Sequence, residues 1–476
     1  MPDIKYVCLS DMHLGEEDSL LTNINVQNAG PDFSRPSPVL ELLVKCLKTL
    51  IAENEGQEKP VLILNGDILE LALAFVNEAA MAFERFIELL VDDNGTPLFE
   101  HIIYIPGNHD HHIWEIARET QYVHYIREIE AGKPLEPPKH TTDLFFESFD
   151  DMVASYFLSN LIMRYPTFEN IRILVAYPNL GITTRDGKKC VLFHHGHYIE
   201  SIYQLISTLR SLLFDTDPPD NIEEIEAENF AWIDFFWSAL GRSGKAGEAV
   251  ESIYERMLSI SHFHKLISDF AKNAAEKYDL PGWGDWMEAK FLEKVLNSIA
   301  DKLLKRERAQ RDLPLSSDAE RGLWKYVEGP LLKQLRYELT GMFPSQIGFV
   351  FGHTHKPFQQ DLHFAGYQGW VDVYNTGGWV IDSVAREPVH GASVVLADED
   401  LNLTCLRMYN EAEEPEDYKV EVKRATHAGE LKNSFHERIK TLVSRYSGLF
   451  GEFSQTVARE VYIRAQLLRS RLIKLD

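Results

Sequence analysis

The segment that decides the fold reads Ile102-Ile103-Tyr104-Ile105-Pro106-Gly107-Asn108-His109-Asp110-His111-His112. Its first four residues are apolar without alternation, which is typical of a strand that is buried on both faces of a sheet. Glycine, asparagine and histidine then replace the apolar residues. Glycine and asparagine favour turns, but histidine has no comparable turn preference, so three histidines here indicate a functional loop at the end of a strand.

Four more segments repeat this pattern, in which a short apolar run ends in polar residues. The runs are Ile4 to Ser10, Val61 to Leu64, Cys190 to Phe193 and Ile347 to Phe351. The polar residues that end them are Asp11-Met12-His13, Gly66-Asp67, His194-His195-Gly196-His197 and Gly352-His353-Thr354-His355. Short buried strands of this kind predict an α/β fold in which the carboxyl ends of the strands form a site.

The spacing of apolar residues between these runs predicts helices first and further strands later. Apolar residues recur at helical intervals in Val39 to Ile51 and in Ala79 to Leu90, which predicts βαβ units. After Gly348, three strand-like runs joined by glycine-containing turns predict a second, antiparallel sheet packed on the first. These runs are Trp370 to Tyr374, Ala392 to Ala397 and Leu401 to Met408.

Three regions are expected along the chain. Residues 1–197 and 341–410 carry the strands and form the predicted core. Residues 198–340 lack strand signals, and an apolar stripe in Val250 to Tyr278 predicts that this region is a helical insertion. Residues 411–476 begin as an acidic linker and continue as a helical C-terminal segment.

The composition disfavours several classes of protein. Of the 476 residues, 45% are hydrophobic and 25% are charged, which is ordinary for a globular protein. The formal charge of -25 repels a phosphate backbone, so nucleic acid is an unfavourable partner. The four cysteines show no paired spacing, and the sequence has neither a signal-like start nor a membrane-spanning apolar run. We therefore expect a cytoplasmic protein.

The strand-end residues together predict a metal site. Nine of the 18 histidines lie in the five segments, although each motif alone is weak because an Asp after a strand is often a turn residue. Imidazoles, carboxylates and one asparagine oxygen, without thiolates, suit Mn²⁺, Fe or Zn²⁺ better than Ca²⁺. The donors exceed the need of one ion. Two ions about 3.5 to 4 Å apart with a shared carboxylate are the usual arrangement for displacement at phosphorus.

The motifs Asp-x-His, Gly-Asp, Gly-Asn-His-Asp, His-Gly-His and Gly-His-Thr-His, in this order, resemble those of the calcineurin-like metallophosphoesterases. The resemblance covers residues 1–200 and 341–400. It implies a four-layer α/β/β/α sandwich of two mixed sheets, with two divalent transition-metal ions at the strand ends and Mn²⁺ preferred. It also implies hydrolysis of a phosphate ester or phosphoanhydride by a hydroxide that bridges the ions.

The resemblance implies seven metal ligands, arranged as two sets joined by a bridging carboxylate. One set is Asp11, His13 and His355, the other is Asn108, His195 and His353, and the bridge is Asp67.

The remaining motif residues receive roles in catalysis. His109 matches the family histidine that contacts the substrate phosphate or protonates the leaving oxygen, and Asp110 would orient it. The family uses the first histidine of its His-Gly-His motif as a ligand, so His195 is preferred to His194 and His197.

The sequence narrows the substrate by exclusion. Protein Ser/Thr phosphatases of this superfamily carry Asp-Arg-Gly after the Gly-Asp motif, whereas this chain has Ile68-Leu69-Glu70. The opening Ser10 to Gly15 resembles both the UDP-2,3-diacylglucosamine hydrolases and the double-strand-break repair nucleases. The hydrolases have Arg in place of His109, and a nuclease needs a basic groove. A phosphorylated small molecule, or a nucleotide or lipid conjugate, is the expected substrate. A nuclease-type phosphodiesterase and a non-catalytic scaffold are the alternatives.

Three features outside the motifs each allow two interpretations. Aromatic residues from Phe230 to Trp237 form either a cap that binds part of the substrate or the core of the insertion itself. The loop Gly241 to Gly247 either clamps a phosphate or is simply solvated. The basic amphipathic helix near the C-terminus, with Val457 and Val461 on its apolar stripe, either contacts an anionic membrane or a partner or docks on its own domain.

Overall fold

Two β-sheets form the centre of the protein. The computed structural model describes residues 2–25, 30–214, 216–239, 313–339, 341–426 and 433–475. The strands of this part of the chain, numbered in chain order, are β1 Tyr6–Leu9, β2 Ile24–Asn25, β3 Gly30–Pro31, β4 Val61–Asn65, β5 His101–Ile105, β6 Val153–Ala154, β7 Ile173–Val175, β8 Asn179–Thr183, β9 Lys189–His194, β10 Gln346–Phe351, β11 Phe358–Leu362, β12 Val371–Asn375, β13 Gly391–Ala397, β14 Leu403–Asn410 and β15 Glu421–Lys423.

Both large sheets are mixed, as the resemblance implies. The larger has the order β15-β14-β13-β1-β4-β5-β7-β6, and the smaller has the order β11-β12-β10-β9-β8. β1, β4 and β5 are parallel neighbours, and β10 is parallel to both β9 and β12. Because parallel strands end at the same edge of a sheet, each sheet brings its motif-bearing loops to one edge.

The strands after Gly348 do not form a separate antiparallel sheet, which corrects the prediction made from their spacing. β12 joins the smaller sheet, whereas β13 and β14 extend the larger sheet with β13 antiparallel to β1. All seven residues of β13 are buried, so this strand needs cover on both faces. Apolar spacing identifies a strand but not its neighbour, and both arrangements give the same pattern.

Helices cover the outer faces of the two sheets. In the described part of the chain they are α1 Pro38–Ile51, α2 Val76–Leu89, α3 His112–Glu128, α4 Tyr156–Ile162, α5 Leu205–Phe214, α6 Ile222–Ile233, α7 Ser317–Tyr326, α8 Leu332–Glu338, α9 Ser434–Arg445 and α10 Ser447–Leu475. Helix α1 shows why such segments fold locally. The Ser37 hydroxyl accepts a hydrogen bond from the Leu40 N–H, Pro38 occupies the first turn, and the apolar stripe is buried.

Alternation along the strands produces the four predicted layers. Leu62 and Leu64 of β4 pack with helices on one face, while Ile63 between them packs against the smaller sheet in a cluster that includes Phe193. The other face of the smaller sheet packs against the insertion helices, where Leu192 shares a cluster with Leu323 of α7. The order of layers is therefore helix, sheet, sheet, helix.

The insertion and the C-terminal segment add helices to this core. Segments 198–214, 216–239 and 313–339 are largely helical. The predicted stripe in Val250 to Tyr278 and the loop Gly241 to Gly247 lie outside the described residues. Helix α10 buries Val457 and Val461 in the main core, so the described part of its apolar stripe docks on its own domain. None of the described helices is both long and apolar enough to cross a membrane.

Candidate metal centre

The predicted site residues converge at the carboxyl ends of β1, β4, β5, β9 and β10. Each of their side chains is at most 2% exposed. They are Asp11, His13, Asp67, Asn108, His109, Asp110, His195, His353 and His355. Neighbouring strands of two sheets thus bring together residues that are hundreds of positions apart in the chain.

The backbone at the site adopts an unusual conformation. Six non-glycine residues of the described chain have positive φ, and five are predicted ligands. These five are Asp11 at 49°, His13 at 43°, Asp67 at 50°, His353 at 71° and His355 at 58°. A side chain in the left-handed region costs on the order of 1 to 2 kcal/mol per residue, and such strain concentrates at functional sites. The three loops that follow β1, β4 and β10 therefore turn sharply at predicted ligands.

The first ligand group consists of Asp11, His13 and His355. One donor atom from each lies within 4.8 Å of the other two, and His355 Nε2 is 3.6 Å from Asp11 Oδ1. His13 Nε2 is buried and has no hydrogen-bond partner within the described residues. These are the three residues that the resemblance assigns to one ion.

The second ligand group consists of Asp67, His195 and His353, with Asn108 beside it. Donor atoms of the first three lie within 4.8 Å of one another. His195 Nε2 is 3.2 Å from Asp67 Oδ2 and 3.1 Å from Asn108 Oδ1. Atoms that bind the same metal ion at about 2 Å lie as far from each other as the atoms measured here.

Asp67 lies between the two groups. Its Oδ2 atom is 3.8 Å from His13 Nε2 on one side and 3.2 Å from His195 Nε2 on the other. Its Oδ1 atom accepts a hydrogen bond from the His109 N–H at 2.8 Å, which fixes the rotation of the carboxylate. The oxygen that faces both groups is therefore positioned as the bridging ligand requires.

Glycines in the motifs make room for ligands from neighbouring strands. A Cβ atom on Gly107 would lie 2.3 Å from Asp67 Oδ1, and one on Gly352 would lie 2.1 Å from Asp11 Oδ2. Both distances are far shorter than a non-bonded contact allows. The glycine in each motif therefore serves the ligand of another motif.

The charges of the site balance one another. Burial raises the pKa of Asp11 to about 6, with a further increase from the neighbouring Asp67 carboxylate, although His195 and His13 oppose it. Burial also acts on Asp67, but His195 and His109 hold its pKa well below the ordinary value. Conversely, burial opposes protonation of His195, but Asp67 raises its pKa to about 9. Nearby positive charge therefore stabilises the buried carboxylates, and a divalent cation would supply such charge.

Each ligand histidine is oriented by an oxygen atom that contacts its ring. His13 Nδ1 lies 2.8 Å from Glu70, His353 Nε2 lies 2.6 Å from Glu200, and His355 Nδ1 lies 2.6 Å from Asp382. His195 Nδ1 lies 3.2 Å from the backbone oxygen of Asn65. This arrangement is characteristic of metal-binding histidines, because the second contact fixes the ring and the tautomer.

Two of these orienting acids, Glu200 and Asp382, were missed by sequence reasoning. Each is a single acidic residue outside a motif, and only the fold brings it to its histidine. Glu70 follows the Gly-Asp motif, and its burial identifies it as part of the site.

His109 is held by Glu70, whereas we expected Asp110 to orient it. The His109 Nδ1 atom is 3.0 Å from Glu70 Oε1. Burial alone would raise the pKa of Glu70, but His109 and His13 keep it below the ordinary value. Asp110 instead accepts hydrogen bonds from the Gly107 N–H at 2.6 Å and the Ile68 N–H at 2.8 Å, so it braces the turn. His13, Glu70 and His109 also lie within 4.8 Å, as two imidazoles hydrogen-bonded to one carboxylate.

The other motif histidines lie outside the two groups. His111 Nε2 lies 2.8 Å from Glu226 of α6, and His112 Nδ1 lies 3.0 Å from Asp234. His194 Nδ1 lies 3.0 Å from the Pro178 oxygen, and His197 packs against Tyr177. His111 and His112 therefore connect the site loop to the insertion, which is a structural role.

Two aromatic residues of the insertion lie against the site. Tyr203 packs edge-on against His353 with ring centroids 5.1 Å apart, and Trp237 lies 6.4 Å from the His109 ring and 5.1 Å from Tyr203. Trp232 differs, because its indole N–H donates to the Ile202 oxygen at 3.1 Å within the insertion. Trp237 therefore lies beside His109 as well as in the apolar cluster of the insertion, whereas the hydrogen bond of Trp232 stays within the insertion.

The donor set fits divalent transition ions. The converging atoms are imidazole nitrogens and carboxylate or amide oxygens. Among the described residues, the buried His13 Nε2 atom has no hydrogen-bond partner. The other ring nitrogen of each ligand histidine contacts an oxygen that orients the ring. Residues 4–239 match the family model of calcineurin-like phosphoesterases. No curated protein gives a significant match to the chain. The matched range includes five of the seven predicted ligands, together with His109, and it ends before His353 and His355.

Proposed function

Since the chain belongs to the calcineurin-like phosphoesterases and is a metallophosphoesterase, we propose that it hydrolyses the phosphate ester or phosphoanhydride of a small molecule at a dinuclear centre. The observation that carries this proposal is the position of Asp67 Oδ2 between two complete ligand groups. A shared carboxylate between two ions is the arrangement used for in-line displacement at phosphorus.

In this proposal two sets of residues, joined by Asp67, would hold two ions. Asp11, His13 and His355 would hold one, and Asn108, His195 and His353 would hold the other. When bound, the ions supply a water-derived nucleophile near neutral pH and neutralise phosphate oxygens. Mn²⁺ is our preferred identity, with Fe or Zn²⁺ as alternatives, because the donors are nitrogen and oxygen without thiolate.

His109 is the proposed general acid. The Glu70 carboxylate contacts its Nδ1 atom, so we assign the transferred proton to Nε2, on the other side of the ring. Proton transfer to the leaving oxygen matters most when that oxygen would otherwise depart as a poor alkoxide.

The charge of the chain supports a small substrate. A formal charge of -25 disfavours a long nucleic-acid phosphate backbone, so the nuclease alternative lacks support. The scaffold alternative requires a gap among the ligands, and the described residues supply every predicted donor. We propose the reducing cytoplasm as the compartment, in keeping with four buried cysteines that form no disulfide.

Metal analysis and a substrate panel test the proposal. Purified full-length protein, loaded with Mn²⁺ and freed of excess metal, should contain close to two ions per chain. The panel compares phosphomonoesters, phosphodiesters and nucleoside-diphosphate conjugates. Saturation at one ion, or absence of hydrolysis of every class in protein that holds two ions, would contradict the proposal.

A further inference from the structure

The C-terminal helix α10 contacts the loop that follows the first metal motif. This helix lies outside the matched range 4–239, and none of the ligands comes from it. Residues 14–22, called here the bracing loop, follow His13 directly.

Arg464 of α10 is the main contact to the bracing loop. Its side chain is completely buried. The Nε atom donates to the Ser19 oxygen at 3.1 Å, Nη2 donates to the Thr22 oxygen at 2.5 Å, and Nη1 pairs with Glu460 at 2.6 Å. One planar guanidinium thus satisfies two buried carbonyls and a carboxylate, which a lysine cannot match.

The bracing loop is tied to the backbone of the first metal motif. The Ser19 hydroxyl donates to the Met12 oxygen at 2.7 Å, and the Glu16 N–H donates to the His13 oxygen at 3.1 Å. The Gly15 N–H donates to the Thr22 hydroxyl at 3.0 Å. These contacts surround His13, whose left-handed backbone must be held by its neighbours.

The same loop is tied to the segment that orients His355. The Leu20 N–H donates to the Trp379 oxygen at 2.8 Å, and the Ile381 N–H donates to the Asp18 oxygen at 3.1 Å. The Trp379 N–H in turn donates to the Asp11 oxygen at 3.0 Å. Asp382, which follows Ile381 in the sequence, contacts His355 Nδ1. One loop therefore connects to Asp11, His13 and His355.

Helix α10 supports this arrangement at two further points. Phe453 packs edge-on against Trp379 with ring centroids 6.5 Å apart, and Arg471 forms ion pairs with Glu17 and Asp18. The second ligand group has no such contact with α10 among the contacts of the described residues. It is oriented instead by Glu200 and the Asn65 oxygen.

We propose that Arg464 is a positioning residue for the first ligand group, holding the bracing loop so that Asp11, His13 and His355 converge before an ion binds. The inference rests on the proposed dinuclear centre. Loss of the guanidinium leaves two buried carbonyls unsatisfied, and the loop must move to solvate them. Affinity for one ion should then fall while affinity for the other is retained.

Arg438 of α9 provides a matched control. It is also an almost buried arginine of the C-terminal segment, and it donates to the backbone oxygens of Pro2 and Glu53 and to Asp3. Pro2 and Asp3 precede β1, at the end of that strand opposite Asp11. R438Q should therefore cost stability of the same kind as R464Q without touching a ligand loop.

Calorimetric titration of the metal-free, full-length variants with Mn²⁺ tests the proposal. We expect R464Q to weaken one of two binding events about tenfold, the lower end of what outer-sphere changes cost, and R438Q to leave both unchanged. Amide hydrogen exchange without metal should be faster at Leu20, Trp379 and Ile381 in R464Q alone. R464K should show a smaller effect in the same direction, and it serves if R464Q does not fold.

The outcomes distinguish a failure of the dinuclear centre from a failure of the role proposed for Arg464. If wild-type protein binds fewer than two ions, the dinuclear centre itself fails. If wild type binds two ions and R464Q matches R438Q, or weakens both ions equally, Arg464 has no specific positioning role and the proposal is overturned.

Discussion

The two ligand groups are equally buried but are held by different parts of the chain. The first group is oriented by Glu70 and Asp382, and through the bracing loop it connects to the C-terminal helix. The second group is oriented by Glu200, at the start of the insertion, and it is bordered by Tyr203, which packs against Trp237. The half of the site that contains the first group is thus supported by the C-terminal helix, and the half that contains the second group is bordered by the insertion.

This difference suggests separate duties for the two halves. Contacts behind the first group end on backbone oxygens and carboxylates, and we propose that they fix the positions of Asp11, His13 and His355. The insertion brings aromatic rings next to His353 and His109, where a substrate must approach if His109 is to protonate its leaving oxygen. Changes behind the first half should therefore alter metal retention, whereas changes in the insertion should also alter substrate preference.

Asp67→Asn should have the largest effect, because it changes the carboxylate that we propose the two halves share. We expect loss of both ions and a fall in turnover beyond the roughly 10⁴-fold upper range of a general-acid variant. His13→Ala is the matched change in one half and should primarily weaken one ion. Metal analysis after dialysis distinguishes them, and equal loss of both ions in His13→Ala would contradict two separable halves.

His109→Ala should separate chemistry from metal binding. The residue belongs to neither proposed ligand set, so the variant should keep both ions and lose about 10²- to 10⁴-fold in turnover. The loss should shrink for nitrophenyl esters, whose leaving group needs no proton. Loss of metal, or equal slowing of activated and unactivated esters, would show that the ring acts otherwise.

The sequence was sufficient for the five motif-bearing strands and for the convergence of their motif residues, because the end of each of these strands carries a motif that local chemistry makes recognisable. The residues that orient the ligands could not be found in this way. Glu200 is 153 positions from His353, and Arg464 is 445 positions from Ser19, and neither lies in a motif. A lone acidic or basic residue resembles any surface charge until tertiary structure buries it.

The same limit explains the partner of His109 and the neighbours of β13. Asp110 is adjacent to His109 in sequence, so it was the natural candidate, but the turn directs its carboxylate to backbone N–H groups. The apolar pattern of β13 predicted a strand without specifying the sheet. In both cases the chemistry of the residue was predictable and its partner was not.

Asp382→Asn and Glu200→Gln compare the orienting acids of the two halves. Loss of an outer contact to a metal-binding histidine typically costs 10- to 100-fold in metal affinity. Each variant should therefore weaken one binding event by about that factor, as measured by calorimetry. In the double variant both events should weaken by their separate amounts, because Asp382 contacts His355 whereas Glu200 contacts His353. A single variant that weakens both events equally would show that the halves are not held independently.

The smallest effect is expected at the insertion, where Trp237→Leu and Trp232→Leu form a matched pair. Both side chains pack in the apolar cluster of the insertion, so both variants should lower the melting temperature. Only Trp237 lies near His109, so only its change should raise KM for a bulky phosphodiester, by about tenfold or less, while KM for a small phosphomonoester stays nearly constant. The comparison depends on binding energy from parts of the substrate that are remote from its phosphate, and a small substrate lacks those parts. If Trp237→Leu lowers stability but changes KM equally for the large and the small substrate, Trp237 belongs only to the core of the insertion. The substrate preference of the second half of the site would then come from other residues.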